Sequence, residues 1–174
     1  LEQARLLTKF QIGLIQEGIE SDLIIGHYRL LERIGVGGMG TVYRAEHLHL
    51  RRQVAIKVMS RTADTNQRLV HRFYGEARAV ARMQHPNIVT CLDAGLHVRP
   101  GAPSRDYYVM ELIPGSDLLE HVRQHGPIAP KRVCELFRQI ADGLAEAHRC
   151  GLVHRDIKPS NIHITPDWQA KLLD

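Results

Sequence analysis

The segment from His154 to Asn161 constrains the fold of this chain more than any other stretch. It contains an acid, Asp156, then a lysine two residues later and an amide three residues after that. A helical pattern over about residues 130–149 precedes it, and the run Ile162–Ile164 that follows alternates like a strand. The sequence therefore predicts a compact polar cluster held between a long helix and a strand.

These polar side chains suit one kind of chemistry. Phosphoryl transfer needs a carboxylate that accepts the proton of the attacking hydroxyl, a cation near the transferred phosphate and an oxygen ligand for Mg²⁺. Asp156, Lys158 and Asn161 fit those roles in that order. The segment closely resembles the catalytic loop of protein kinases, His-Arg-Asp-x-Lys-x-x-Asn. Because Lys158-Pro159 is similar to the Ser/Thr-specific form, the resemblance implies transfer from ATP to Ser or Thr hydroxyls of protein substrates.

A glycine-rich segment lies between two strand-like patterns nearer the start of the chain. Tyr28–Ile34 alternates like a strand, Gly35–Gly40 contains four glycines, and Thr41–Ala45 is again β-branched and aromatic. A strand after the glycines favours a strand–loop–strand hairpin over the strand-to-helix turn of a dinucleotide-binding fold. Since glycines let a backbone approach phosphates closely, the loop either binds a nucleotide or is a plain tight hairpin.

The next strand pattern, Val54–Met59, holds one lysine, Lys57, among apolar residues. A lysine inside an apolar strand is costly unless it has a partner. Glu76 lies 19 residues later, in a helical pattern that also contains Phe73. The two charges are either a structural ion pair or part of a site. The order of glycine loop, lysine strand and helix glutamate resembles the kinase N-lobe, which implies that Lys57 holds the α- and β-phosphates and that Glu76 positions Lys57.

The run Asp106–Gly115 reads as a strand that ends in a break, which predicts a hinge between two lobes. The resemblance implies that Met110 guards the back of an adenine pocket. It also implies that the backbones of Glu111 and Ile113 bond the adenine and that Asp117 bonds the ribose. An alternative stays open for Asp117, because Ser116-Asp117 also suits the start of a helix.

Two further positions take roles from the resemblance. His163 stands where the family generally has Leu or Met beneath the adenine, and we hypothesise that it lowers ATP affinity, more so when protonated. Asp174 occupies the place of the aspartate that holds Mg²⁺ together with Asn161. The implied catalytic residues are Asp156, Lys158, Lys57 and Glu76. The implied nucleotide-binding residues are Ile34, Gly35, Val36, Gly37, Gly38, Met39, Gly40, Thr41, Val42, Ala55, Lys57, Met110, Glu111, Ile113, Asp117 and His163.

The expected fold class is α+β, in a kinase-like two-lobe arrangement of which these 174 residues form only a part. Residues 1–26 are expected to form a helical leader or structured linker. Residues 27–113 are expected to form the N-lobe, a five-stranded antiparallel sheet with one helix. Residues 114–174 are expected to form a partial, mostly helical C-lobe, with its longest helix at Lys131–Arg149.

Composition narrows the partners. The formal net charge of +4 comes from scattered lysines and arginines, so it does not indicate that the protein binds nucleic acid. The three cysteines form neither a disulfide framework nor a metal knuckle, which fits the reducing cytoplasm. His47 and His49 have no further ligands at metal-binding spacing. No apolar run approaches the ~20 residues of a membrane span, so we expect no membrane contact within this segment.

Three functions remain to be weighed. A Ser/Thr protein kinase is favoured, because Lys57, Asp156 and the metal aspartate are all present. A non-catalytic ATP-binding pseudokinase or scaffold is the alternative, supported only by His163. A small-molecule phosphotransferase is disfavoured by the complete His154–Asn161 motif. The 174 residues alone lack an activation segment and leave the apolar face of Val133–Ala147 uncovered, so we expect them to be inactive and poorly soluble.

Overall fold

The computed structural model describes residues 7–59, 67–99 and 101–173. The chain divides into two compact units. The first contains Leu1–Gly75 and Leu92–Leu112, and the second contains Glu76–Cys91 and Ile113–Asp174. Sheets and helices occur together, which confirms the predicted α+β class. No helix in the described part of the chain has the length and apolarity needed to cross a membrane.

A six-stranded sheet in the order β1-β2-β3-β4-β6-β5 forms most of the first unit. Its strands are β1 (Ile24–Ile25), β2 (Tyr28–Gly37), β3 (Gly40–His47), β4 (Gln53–Met59), β5 (Cys91–Arg99) and β6 (Ala102–Glu111). The prediction of five strands misses β1, which pairs antiparallel with the start of β2. Gly26 makes this possible, because its φ of 56° closes a tight turn between the two strands.

The sheet is strongly curled. The Tyr28 hydroxyl on β2 donates a hydrogen bond to Asp93 Oδ2 on β5 at 2.9 Å, although three strands separate β2 from β5 in the sheet order. Burial and this hydrogen bond raise the pKa of Tyr28 above its ordinary value. One face of the curled sheet holds an apolar core. Its buried members are Ile25, Tyr28, Leu30, Ala45, Val54, Ile56, Val58, Tyr107 and Val109.

The leader packs on the same unit. Helix α1 (Lys9–Gln16) begins with a capping box, in which the Thr8 hydroxyl accepts from Gln11 N and the Gln11 side chain accepts from Thr8 N. The Thr8 hydroxyl also donates to Leu31 O at 2.6 Å. The buried Gln11 amide donates to Leu30 O at 2.7 Å, and the Phe10 ring lies 5.7 Å from the ring of Tyr43. A short 3₁₀ turn, Glu20–Leu23, follows.

Helix α2 (Gln67–Ala81) includes residues of both units. The second unit holds β7 (Ser116–Asp117), α3 (Leu118–His125), α4 (Pro130–Arg149), β8 (Ile162–Ile164) and β9 (Ala170–Leu172). The strands form a sheet in the order β7-β8-β9. Leu136 and Ile140 of α4 pack on the β8–β9 hairpin, while Phe137 on the same helix is 59% exposed.

A buried polar bridge fixes α4 against this hairpin. The Asn87 amide donates to Ala170 O at 2.7 Å and to Gln139 Oε1 at 3.1 Å. The Gln139 amide donates to Trp168 O at 3.0 Å. Gly143 lets α4 approach closely, since a Cβ there would lie 3.1 Å from Asn87 O. The bridge satisfies carbonyls that the core would otherwise leave unpaired, and it holds the strands that flank the polar segment described next.

Candidate active site

The polar segment between α4 and β8 gathers its functional groups around one carboxylate. Lys158 Nζ donates to Asp156 Oδ2 at 2.7 Å. Asn161 Nδ2 donates to the same oxygen at 3.1 Å and to the backbone carbonyl of Asp156 at 3.0 Å. The Asp156 side chain is 62% exposed, so the carboxylate is accessible from solvent. The three residues that the sequence singled out therefore lie together in space.

The loop owes its shape to contacts that the sequence reasoning did not assign. His154 Nε2 lies 3.0 Å from Leu173 O, and its Nδ1 accepts from Asp156 N at 3.4 Å. Arg155 adopts a φ of 64°, a conformation that is rare outside glycine and that turns the chain sharply just before Asp156. Leu173 N donates to Asn161 O at 2.9 Å, which ties the loop to the end of β9. His154, the first residue of the motif, was the feature of the sequence that could have predicted this contact with Leu173.

The electrostatics of the loop keep Asp156 ionised. The hydrogen bond from Lys158 is the largest cause of a lowered Asp156 pKa, and it outweighs the opposing effect of desolvation. The positive charge of Lys158, the hydrogen bond from Asn161 and the charge of His154 lower the pKa further. A carboxylate in this state is an acceptor for a proton at neutral pH.

The first unit contains the predicted phosphate-binding elements. Antiparallel β2 and β3 close at Gly37 and Gly40, so the strand–loop–strand prediction is confirmed. A Cβ at Gly40 would lie 2.3 Å from Val58 O, so packing within the sheet alone requires this glycine. A Cβ at Gly38 would meet nothing within 4 Å, which leaves the loop tip accessible to a ligand.

Lys57 on β4 is only 3% exposed and its neighbours in the strand are buried and apolar. Its Nζ lies 5.6 Å from the centroid of the Tyr108 ring, a distance at which a cation is attracted to an aromatic face. Glu76 lies on α2 and belongs to the second unit. The pairing of Lys57 with Glu76 stays a prediction. Asp174 lies outside the described residues.

The two residues expected near the nucleoside lie side by side in the second unit. Asp117 on β7 lies directly opposite His163 on the neighbouring antiparallel strand β8. The Asp117 carboxylate caps α3 by accepting from Glu120 N at 2.9 Å, so the helix-start alternative describes its contact in this structure. Burial lowers the pKa of His163, while the Asp117 charge and the carbonyls of Pro114 and Ile113 oppose this shift. His163 Nε2 is buried and has no hydrogen-bond partner within the described residues.

The remaining nucleotide-binding predictions differ in exposure. Ala55 and Met110 are buried, with 6% and 7% of their surface exposed. Such burial is expected of sheet residues that line a pocket. Ile34 and Val36 before the glycine turn are 48% and 73% exposed. Apolar side chains that remain exposed beside a glycine turn are available to cover a bound ligand. Their contact with a nucleotide stays a prediction.

Comparisons with known proteins point in one direction. The family model described as "Protein kinase domain" matches residues 28–174. The serine/threonine-protein kinase PknL of Mycobacterium tuberculosis is 41% identical over 159 residues, which cover 91% of this chain and 39% of PknL. PknA of the same species is 38% identical over 149 residues, and PrkC of Bacillus subtilis is 38% identical over 151 residues. The matches span 35% of PknA and 22% of PrkC, so the chain corresponds to less than half of each relative.

Proposed function

The chain belongs to the protein kinase domain family, and from that premise we propose that the whole protein transfers the γ-phosphoryl group of ATP to Ser or Thr hydroxyls of protein substrates. The observation that carries the proposal is the convergence of Lys158 and Asn161 on Asp156. The relatives named above carry the name serine/threonine-protein kinase. Three cysteines without a disulfide suit the cytoplasm, where we place the reaction.

Asp156 is the proposed proton acceptor. Its lowered pKa keeps the carboxylate charged at neutral pH, so it can orient a substrate hydroxyl and take its proton as the oxygen bonds to phosphorus. Lys158, whose Nζ lies 2.7 Å from Asp156 Oδ2, would stabilise negative charge on the transferred phosphate. Positioning and charge stabilisation supply most of the rate in phosphoryl transfer.

Protein kinases generally use ATP and Mg²⁺, and the residues present fit both. Both contacts of the Asn161 side chain with Asp156 use the nitrogen Nδ2, so its amide oxygen is the atom suited to a cation. Asn161 and Asp174 would hold Mg²⁺, which neutralises phosphate charge when bound. Lys57, buried and cationic, would hold the α- and β-phosphates near the turn that contains Gly38.

The direct test is Asp156→Asn in the full-length protein. Phosphoryl transfer to a Ser/Thr peptide substrate should fall by about 10²–10⁴-fold, because the amide cannot accept the hydroxyl proton. ATP binding measured by calorimetry should be unchanged. Asp142→Asn is the matched control, since Asp142 is an exposed acid of α4 that pairs only with Arg138 among the described side chains. Near-normal turnover in Asp156→Asn would refute the role.

One observation favours a second candidate, a nucleotide-binding module without catalysis. A polar, half-buried His163 stands where the resemblance leads one to expect an apolar side chain. Under this alternative the wild-type protein binds ATP but transfers no phosphate to any peptide, and Asp156→Asn changes nothing. Transfer by wild type that Asp156→Asn abolishes would exclude it.

A further inference from the structure

A partly buried ion cluster fixes the leader to β5 and β6 of the first unit. The Asp22 carboxylate pairs with Arg99 of β5 through one oxygen and with Arg105 of β6 through the other, at 2.6 Å for Arg105. The side chains of Arg99 and Asp22 are only 14% and 16% exposed. Phe10 on Tyr43, together with the hydrogen bonds of Thr8 and Gln11 to β2, attaches the leader elsewhere on the sheet. The family match begins only at residue 28, so it does not include this leader.

A cavity of about 450 Å³ lies beside these arginines. It is lined by Thr41, Tyr43, Val58, Met59, Arg99, Pro103 and Arg105. Volumes of roughly 300–1,000 Å³ are typical of small-molecule sites. The lining combines an apolar part with hydroxyl groups and two guanidinium groups. That combination suits a ligand with an apolar body and one charged end.

The charges at the polar end do not balance. Among the described side chains, Asp22 is the one carboxylate that pairs with Arg99 and Arg105, so the cluster keeps one excess positive charge. Arg99 Nε is buried and has no hydrogen-bond partner within the described residues. Burial and the charges of both arginines lower the pKa of His97, while the Asp22 charge opposes this shift. His97 therefore does not add to the excess positive charge. A nearly buried guanidinium with an unused donor is a ready partner for an anion.

We propose that this cavity binds a small organic anion, with its phosphate or carboxylate group on Arg99 and Arg105 and its apolar body against Tyr43 and Val58. Asp22 then acts as an internal competitor for the same guanidinium groups, so ligand binding loosens the leader. Val58 and Lys57 are adjacent in β4 and point to opposite faces of the sheet. The site therefore lies on the opposite face of β4 from Lys57, although Thr41, one of the expected nucleotide-binding residues, also lines it. The proposal does not depend on the proposed function.

The test uses phenyl phosphate and benzoate as probes, each titrated into the full-length protein by calorimetry at constant ionic strength. The background carries Lys57→Met, which weakens competing phosphate binding at the nucleotide site. At least one probe should bind saturably, and which one binds identifies the anionic group. Arg99→Gln and Arg105→Gln should each weaken binding at least tenfold. Asp22→Asn should tighten it severalfold, an effect opposite in sign to any general loss of structure.

Arg52→Gln is the matched control, because Arg52 is an exposed arginine just before β4 in the same unit, and it should change nothing. The proposal fails if neither probe binds at millimolar concentrations. It also fails if a probe binds with the same affinity after both arginine substitutions, or if Asp22→Asn weakens binding. Folding of each variant is checked by circular dichroism, and either arginine variant alone suffices if the other does not fold.

Discussion

At the scale of single residues, opposing effects act on the protonation of His163 in the second unit. Burial favours its neutral form, and the neighbouring Asp117 charge and two carbonyls favour its protonated form. Burial dominates, so the pKa of His163 lies below the ordinary histidine value near 6.5. The imidazole is therefore neutral at physiological pH and can lie against a flat base.

This balance gives a pH-dependent prediction. Burial lowers the pKa of His163 in the folded protein. The contribution of neutral His163 to the free energy of unfolding is therefore present above about pH 6.5 and is lost as the pH falls through the folded-state pKa. ATP affinity of the wild type should drop severalfold more between pH 8 and 5.5 than that of His163→Leu, measured by calorimetry. The comparison of variants removes the titration of ATP itself. An unchanged Kd in His163→Leu at both pH values would show that the side chain does not affect nucleotide binding.

At the scale of elements, the leader helix α1 depends on one hydroxyl. Thr8 accepts from Gln11 N and donates to Leu31 O, so it both caps α1 and attaches it to β2. Caps of this kind contribute about 0.5–2 kcal/mol. The helix has only eight residues, too few to persist in water without such contacts. Its N-terminal end is thus fixed by side chains rather than by helix propensity.

Thr8→Ala should release α1 without unfolding the sheet. A loss of about 1–2 kcal/mol corresponds to roughly 5–30-fold faster hydrogen exchange of the α1 amides. Amides of β4, whose strand interior is buried, should exchange as in the wild type. Thr8→Ser keeps the hydroxyl and should restore protection. If exchange of the Gln11 amide is the same in Thr8→Ala, the capping bond has no energetic role.

Elements with strong periodicity could be predicted from the sequence, and contacts between distant residues could not. The helix expected at Lys131–Arg149 begins one residue earlier, at Pro130, whose missing N–H suits a first helical turn. The Thr8–Gln11 capping box, which the sequence analysis did not identify, follows a local pattern. Asp22 and Arg99 lie 77 residues apart, and no local rule pairs them. Asp117 fitted two roles in sequence, and only the structure shows its capping contact.

At the scale of the whole molecule, the second unit combines a well-packed interior with an exposed ring. Asn87 and Gln139 satisfy the hydrogen bonds inside it. Phe137, in contrast, projects from the middle of α4 with 59% of its surface exposed. A large apolar side chain on an amphipathic helix is a point at which chains associate.

We therefore expect residues 1–174 expressed alone to self-associate. Size-exclusion chromatography should give oligomers or aggregate, and thermal melting should be broad rather than cooperative. Phe137→Gln should raise the soluble fraction severalfold, because it removes apolar area without disturbing buried Leu136 and Ile140. Phe137→Leu keeps the position apolar and serves as the control. A soluble monomer of the unchanged 174 residues with a sharp melt would contradict this expectation.

The attachment of the leader also bears on how protein kinase domains are delimited. Alignment places the first family residue at position 28. The physical boundary lies earlier, because Asp22, Gln11 and Phe10 all contact the sheet. A clone started at the alignment boundary would strip the counter-ion from two nearly buried arginines and uncover the core that α1 closes. A weakly folded product from such a clone would reflect the choice of first codon rather than a property of the protein.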